Sequence, residues 1–210
     1  DHDPSGRLAA GTPVTVHPAR YGADVPGLEQ RPHLRPGGDY LGSAAADPHR
    51  QGGASEYLLV EEGMIRVLPT GLPLERAALA EPLAVALHAV GLAGDVAGKR
   101  VLVIGAGPIG LLVLAAAIDA GAAAVGASDV REEALRRAET LGASERLLVG
   151  RDAIADESFD VVFECSGAPV ALTQAVRATR RAGTIVQVGM LANAEIGVNL
   201  APLLGKEITL

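Results

Sequence analysis

The sequence predicts an α/β fold built on a doubly wound parallel sheet, and three observations predict it. From about residue 93, short apolar runs alternate with helical patterns, glycines spaced G-x-G-x-x-G follow the first run, and a carboxylate ends the second. An alternation of strand and helix requires parallel strands that are covered by helices on both faces. Ligands of such sheets bind at the carboxyl ends of the strands.

The glycine motif follows a strand that we predict over residues 101–105. Gly105 allows the sharp turn out of this strand, Gly107 lets the backbone approach a diphosphate, and Gly110 lets the next helix pack against the strand. That helix, predicted over 109–120, points its free N–H groups and the positive end of its dipole at the phosphates. The motif therefore predicts a Rossmann-type dinucleotide site that includes Gly105, Gly107, Pro108, Ile109 and Gly110.

A second strand, predicted over 125–128, ends at Asp129. This carboxylate lies about 20 residues past the glycines, where a ribose-binding acid is expected, and we predict that it accepts hydrogen bonds from both ribose hydroxyls. A 2′-phosphate would meet this negative charge, so the sequence favours NAD over NADP as cofactor. Arg131 keeps NADP open as an alternative, because a nearby arginine can accommodate a 2′-phosphate. The other interpretation of Asp129 is a surface carboxylate at a strand end.

Further elements are predicted to complete the sheet: a helix over 131–141, strands over 146–149, 160–165 and 183–188, and a helix over 169–179. The carboxyl ends of the last two strands add five residues to the predicted cofactor site: Ser166, Gly167, Val188, Gly189 and Met190. Cys165 is predicted to be a small buried thiol beside this site. The sequence places no general base beside this thiol, so we do not expect Cys165 to act as a nucleophile.

The first 92 residues are rich in proline, glycine and histidine, with strand-like runs over 13–17 and 56–60 between turn residues. Glu81 then begins an otherwise apolar helix, just before Pro82. Burying its charge requires compensation, which a metal ion, an arginine or the helix dipole could each supply. His88, two turns further along, is interpreted as a packed core histidine.

Composition excludes several partners. The 210 residues carry a net charge of −7, so nucleic acid and anionic membranes are not expected as partners. Apolar stretches are interrupted well before the roughly 20 residues that a membrane span needs. The sequence shows no signal peptide, and its single cysteine excludes an internal disulfide. Both observations predict a cytoplasmic protein.

Several stretches resemble a known family: residues 40–45 (YLGSAA), 48–53 (PHRQGG), 81–89 (EPLAVALHA), 98–110 with GAGPIG, 159–167 (FDVVFECSG) and 205–210 (GKEITL). Together they resemble the zinc-dependent medium-chain dehydrogenases, in particular the branch of sorbitol and L-idonate 5-dehydrogenases. The resemblance implies part of a GroES-like β-rich catalytic domain over 1–92 and a Rossmann domain over 93–210. It also implies a homo-oligomer, either a dimer or a tetramer. Members of the family continue with a sixth strand, whereas the last strand expected in this sequence is the fifth.

The resemblance implies a catalytic zinc held by a cysteine, a histidine and a glutamate, and it aligns His2 and Glu81 with the last two. These are the catalytic and metal-binding residues that we predict, although a catalytic zinc usually has three protein ligands. The family's structural-zinc lobe, about 18–39 here, normally carries four cysteines. Tyr21, Asp24, Gly27 and Arg35 replace them, so no structural zinc is expected, and an Asp24–Arg35 ion pair is a candidate replacement.

The resulting hypothesis is an oxidoreductase that transfers hydride between NAD and a secondary hydroxyl of a polyol or sugar acid, assisted by zinc. Two alternatives remain. One is a zinc-independent, NAD(P)H-dependent reductase of the same superfamily, which the missing thiolates favour. The other is a catalytically silent dinucleotide-binding module.

Overall fold

The computed structural model describes residues 8–43, 49–191, 197–199 and 201–210. The chain divides into two compact units, Asp1–Leu79 and Ala80–Leu210. The change of composition near residue 93 lies one helix after this division, because the helix that precedes it packs within the second unit.

The first unit consists of short elements. They are β1 (Val14–Val16), β2 (Ala19–Arg20), β3 (Asp39–Tyr40), β4 (Ile65–Val67) and α1 (Leu74–Ala77), with single 3₁₀ turns at Pro32–Leu34 and Glu62–Met64. β1 pairs antiparallel with β4, and β2 pairs antiparallel with β3. Among the described residues of this unit, Met64 and Ala77 are the buried side chains of its core.

The strand predicted over 13–17 is confirmed as β1, but the strand predicted over 56–60 is wrong. Residues 56–60 have no regular structure, and Leu59 is 96% exposed. β4 takes the place beside β1 instead. A run with high β-propensity becomes a strand only where a neighbour pairs with it and covers one of its faces.

The second unit alternates helices and strands, as predicted. Its elements are α2 (Ala80–Leu92), β5 (Arg100–Ile104), α3 (Pro108–Asp119), β6 (Ala124–Asp129), α4 (Glu132–Thr140), β7 (Glu145–Leu148), β8 (Phe159–Glu164), α5 (Pro169–Ala178), β9 (Thr179–Gln187) and α6 (Ala201–Lys206). The five strands form one parallel sheet in the order β7-β6-β5-β8-β9. The predicted Rossmann-type sheet is confirmed, and its strand order reverses between β5 and β8.

β9 begins four residues earlier than predicted. Thr179 already pairs with Phe159, and the register then shifts before Val161 pairs with Thr184. Ala182 adopts a positive φ of 54° inside this irregular stretch, which a pattern of alternating side chains does not reveal. On the outer side of β9, Thr209 forms an isolated parallel bridge with Thr184.

The sheet has a separate apolar core on each face. Val101 and Val103 of β5 belong to the core that α2, α3 and α4 cover, whereas Leu102 and Ile104 belong to the core that α5 covers. Side chains alternate between the two faces along a strand, so β5 contributes two buried residues to each core. This burial on both faces agrees with its position as the middle of the five strands. A rigid centre holds the loop after Ile104 in a fixed position, and that loop is the glycine motif.

Candidate dinucleotide-binding site

The three glycines of the motif differ in what surrounds them. Gly105 has a φ of +95°, and a Cβ there would lie 2.7 Å from the backbone nitrogen of Ser166. A Cβ at Gly110 would overlap the carbonyl oxygen of Gly105. A Cβ at Gly107 would meet no atom within 4 Å. The fold therefore requires Gly105 and Gly110, while Gly107 borders open space that a ligand can fill.

The helix after the motif begins without a side-chain cap among the residues that the structure describes. Gly107 is the N-cap, its carbonyl accepts a hydrogen bond from the N–H of Leu111 at 2.9 Å, and no side chain caps the helix. Pro108 at the first helical position has no N–H to offer. The N–H groups of Ile109 and Gly110 therefore point out of the helix end, in the arrangement that binds phosphate groups.

Asp129 lies beside the glycine loop at the end of β6, and its side chain is 9% exposed. Oδ2 accepts a hydrogen bond from the N–H of Ala106 at 2.8 Å, and Oδ1 accepts one from the N–H of Arg131, also at 2.8 Å. The guanidinium Nε of Arg131 lies 3.6 Å from Oδ1. The structure thus adds a contact that the sequence did not predict: this carboxylate connects the glycine loop to β6.

A cleft of about 220 Å³ adjoins this strand end. Its lining combines the apolar Val149 and Ile154 with polar groups that include Ser128, Asp152 and Gln174. The backbone N–H of Val149 donates to the carbonyl of Asp129 at 3.0 Å, so the cleft begins next to the predicted ribose-binding acid. The buried hydroxyl of Ser128 has no hydrogen-bond partner within the described part of the chain. The cleft can hold a planar group with hydrogen-bonding edges.

On the other side of the strand-order reversal, the turns after β8 and β9 pack against each other through their backbones. Gly167 has a φ of +68°, and a Cβ there would overlap the carbonyl oxygen of Met190. A Cβ at Gly189 would overlap the backbone nitrogen of Gly167. The structure therefore brings Gly167, Gly189 and Met190 together, next to Ser166, which contacts Gly105.

Glu164, the last residue of β8, is a central residue of this region that the sequence pattern did not single out. Its side chain is fully buried. Oε1 accepts hydrogen bonds from the N–H of Ser166 at 2.7 Å and from the Ser166 hydroxyl, and Oε2 accepts one from Nε2 of Gln187 at 2.5 Å. The sequence did contain one signal for Glu164: a charged residue directly follows the apolar run 161–163. A charge buried at such a position needs several hydrogen-bond partners.

Cys165 is the small, largely buried thiol that the sequence predicted. Burial, together with the negative charge of the neighbouring Glu164 carboxylate, raises the pKa of this thiol to about 12. The thiol therefore stays protonated near neutral pH. Because the thiolate is the reactive form of cysteine, Cys165 is not a nucleophile.

The structure corrects the predicted environment of α2. Glu81 and His88 are both exposed, so Glu81 is not a buried charge and His88 is not a core histidine. Both lie on the face of the helix opposite Ala86, Ala89 and Val90, the buried positions of α2. The helix is apolar almost all round, so its sequence did not show which face is buried.

His2, the other predicted metal ligand, lies outside the described residues. Among the residues that are described, no three histidine, cysteine, aspartate or glutamate side chains come close enough to hold a metal ion. His2 and Glu81 are two ligands where a catalytic zinc needs three. The residues that the structure describes therefore show no complete metal site, and Glu81 alone of the two predicted ligands lies among them.

The altered lobe of the first unit contains the ion pair that the sequence suggested. A guanidinium nitrogen of Arg35 lies 2.5 Å from a carboxylate oxygen of Asp24. Asp39 extends the charged contacts, because it pairs with Arg50 at 2.5 Å and with Arg20 at 3.4 Å. Ionic contacts thus link parts of this lobe to one another and to Arg50.

No helix within the described ranges is long and apolar enough to cross a lipid bilayer.

Comparison with known proteins agrees with this geometry. Residues 108–210 match the family model described as zinc-binding dehydrogenase. The chain is 35% identical over 215 residues to L-idonate 5-dehydrogenase (NAD(P)(+)) of Escherichia coli K12, covering 100% of this chain and 62% of that protein. It is 39% identical over 186 residues to sorbitol dehydrogenase 1 of Saccharomyces cerevisiae, covering 79% of this chain and 50% of the relative.

Solved structures show the same relationship. The crystal structure of the Escherichia coli L-idonate 5-dehydrogenase superposes with a TM-score of 0.90 at 34% identity, over 96% of this chain and 60% of that one. A zinc-binding dehydrogenase of Sinorhizobium meliloti bound to NADP superposes with a TM-score of 0.84 at 30% identity, over 96% of this chain and 61% of the other. The chain thus spans between half and about three fifths of these relatives. Its sequence and fold show that it belongs to the zinc-binding dehydrogenases of the medium-chain dehydrogenase/reductase superfamily.

Proposed function

We propose that this chain binds NAD for an oxidoreductase that transfers hydride between the cofactor and a secondary hydroxyl of a polyol or sugar acid. The observation that carries the proposal is the glycine loop, in which the fold itself requires Gly105 and Gly110 while Gly107 borders open space. The similarity to L-idonate 5-dehydrogenase and sorbitol dehydrogenase supports the substrate class. We further propose that the protein is cytoplasmic and forms a homo-oligomer, and light scattering of the purified protein tests the oligomeric state.

The proposed cofactor position follows the two halves of the sheet. The diphosphate lies over Gly107 and accepts hydrogen bonds from the N–H groups of Ile109 and Gly110. Asp129 accepts hydrogen bonds from the hydroxyls of the adenosine ribose, and the adenine enters the cleft of about 220 Å³ beside it. The nicotinamide half lies along the turns after β8 and β9, formed by Ser166, Gly167, Val188, Gly189 and Met190. NAD itself supplies the hydride acceptor when it is bound.

The charges near the ribose site favour NAD over NADP. Asp129 places negative charge near the position of a 2′-phosphate, whereas the cleft carboxylates Asp152 and Asp156 are paired with Arg151 and Arg177. Arg131 offsets part of it, because its Nε lies 3.6 Å from Asp129. We therefore propose a preference for NAD, not an exclusion of NADP.

Replacing Asp129 by alanine tests the cofactor assignment. We expect NAD to bind about 1–3 kcal/mol more weakly, the contribution of hydrogen bonds to a charged group, with a smaller loss for NADP. Isothermal titration calorimetry with both cofactors measures the difference. Asp119→Ala, an exposed carboxylate at the far end of α3, serves as the control and should change neither affinity. Equal losses for NAD and NADP would contradict the ribose contact.

The metal remains a separate part of the proposal, with His2 and Glu81 as the ligands that this chain contributes. Glu81→Ala should abolish metal uptake and turnover but leave NAD affinity nearly unchanged, because the glycine loop and Asp129 do not involve α2. Metal analysis and NAD reduction with idonate or sorbitol measure both effects, with the exposed Glu75→Ala as control. Turnover that survives Glu81→Ala would instead indicate the zinc-independent reductase, which the catalogued relatives do not favour.

A further inference from the structure

We propose that Glu164 is a positioning residue that holds the turns after β8 and β9 at the spacing needed by the nicotinamide half of the cofactor. The inference rests on the proposed function, since it concerns the same site. It assigns Glu164 no contact with the cofactor, because the carboxylate acts through the backbone of the two turns.

The first observation is the distribution of donors around the carboxylate. Oε1 accepts from the N–H and the hydroxyl of Ser166, and Gly167 N–H lies 3.1 Å from each oxygen. Oε2 accepts from Nε2 of Gln187, the last residue of β9. One buried carboxylate therefore links the turn after β8 to the end of the neighbouring strand.

The second observation is that the backbone of Glu164 holds the same neighbour. Its carbonyl accepts hydrogen bonds from the N–H groups of Val188 and Gly189, both at 2.8 Å. Gln187 also donates to the carbonyl of Gly189 at 2.8 Å. A Cβ at Gly189 would lie 2.9 Å from Oε2 of Glu164, so the second turn closes directly over the carboxylate. The position of each turn therefore depends on that of the other.

The third observation is the register of the sheet. Ile104, Glu164 and Gln187 are aligned on the adjacent strands β5, β8 and β9. The apolar Ile104 shows that an uncharged side chain is sufficient at this level of the central strand. A buried charge costs free energy unless it is fully hydrogen-bonded, so packing alone does not account for the glutamate on β8 and the glutamine on β9.

In each half of the sheet, a buried carboxylate at a strand end is hydrogen-bonded to the neighbouring strand or loop. Asp129 connects β6 to the loop after β5, on the adenosine side, and Glu164 connects β8 to the end of β9, on the nicotinamide side. Loosening Glu164 should therefore weaken ligands that need the nicotinamide side and spare ligands that occupy only the adenosine side. This selective loss distinguishes positioning from a general structural role.

The test measures the affinities of NADH and AMP by calorimetry for Glu164→Gln, Gln187→Leu and Asp160→Asn. Glu164→Gln places an amide donor against the donors that surround the carboxylate, and Gln187→Leu removes the link to β9. Asp160→Asn is the matched control, because Asp160 lies at the other end of β8 and accepts from the N–H of Arg100 at 2.6 Å. We expect about a tenfold loss for NADH with Glu164→Gln, corresponding to the loss of one hydrogen bond to a charged group, and AMP affinity within about twofold of the wild type.

Gln187→Leu should show the same selectivity with a smaller loss, and Asp160→Asn should leave both affinities unchanged. If Glu164→Gln does not fold, Gln187→Leu decides, because Glu164 then keeps its donors from Ser166 and Gly167. Unchanged NADH affinity, or equal losses for NADH and AMP, would overturn the role of Glu164 while the proposed function stands. A wild-type protein that binds neither ligand would overturn both.

Discussion

The two units of the chain are stabilised in different ways. The second unit has a five-stranded sheet with an apolar core on each face, whereas the strands of the first unit are two or three residues long. Ion pairs between residues distant in sequence, such as Arg50 with Asp39 and Arg20 with Glu61, connect the short elements of the first unit. Local apolar patterns therefore specify the second unit well and the first unit poorly.

Aromatic residues allow the two units to be observed separately. The three tyrosines, Tyr21, Tyr40 and Tyr57, all lie in the first unit, and both phenylalanines, Phe159 and Phe163, lie in the second. The sequence has no tryptophan to mask them. Tyrosine fluorescence thus reports on the first unit, and the near-ultraviolet circular dichroism of phenylalanine reports on the second.

The largest effect should come from Gly110→Ala. The added Cβ would overlap the carbonyl oxygen of Gly105, so we expect the second unit to lose about 3 kcal/mol of unfolding free energy or more. Denaturant unfolding followed through the phenylalanine signal measures the loss. Gly107→Ala is the matched control: it should leave stability within about 0.5 kcal/mol and weaken NAD binding, because its Cβ projects into the ligand space. Equal stabilities of the two variants would contradict the packing of the motif.

A smaller effect concerns the pH dependence of the second unit. The unfolded Cys165 thiol releases its proton near pH 9, whereas burial raises the pKa of the folded thiol to about 12. Between these values the unfolded state binds fewer protons, so the thiol lowers the unfolding free energy by about 1.4 kcal/mol per pH unit as the pH rises. Cys165→Ala should lack this part of the slope. Identical slopes between pH 9 and 12 would show that the thiol is not buried from solvent.

The smallest effect should arise in the first unit, from Asp24→Asn. Asp24 is 88% exposed, and an ion pair with an exposed partner contributes about 0.2–1 kcal/mol, less at high salt. The loss should appear in the tyrosine signal and be absent from the phenylalanine signal. Thr12→Val, which removes an uncharged hydrogen bond from the half-buried Thr12 hydroxyl to the Ala9 carbonyl, gives the comparison at high salt, where only the Asp24→Asn effect should shrink. A loss of several kcal/mol would mean that this pair, and not the combined contacts, holds the lobe together.

The sequence predicted the structure best at positions where only one residue type meets the local steric or electrostatic requirement. The glycine spacing and the alternation of elements predicted the sheet, and the position of Asp129 after the second strand placed it at the strand end beside the glycine loop, where it lies. The extent of β9 was not predictable, because its irregular start depends on pairing with β8. Glu81 and His88 were predicted to be buried but are exposed, because the apolar composition of α2 does not show which of its faces packs against the core. Glu164 was missed because its importance depends on Gln187, 23 positions away in the chain.

A crystal structure of the chain in complex with NAD tests the central claim most directly. The account predicts the diphosphate over Gly107, hydrogen-bonded to the N–H groups of Ile109 and Gly110, with the adenosine ribose on Asp129. A diphosphate bound elsewhere, or a ribose without contact to Asp129, would contradict it.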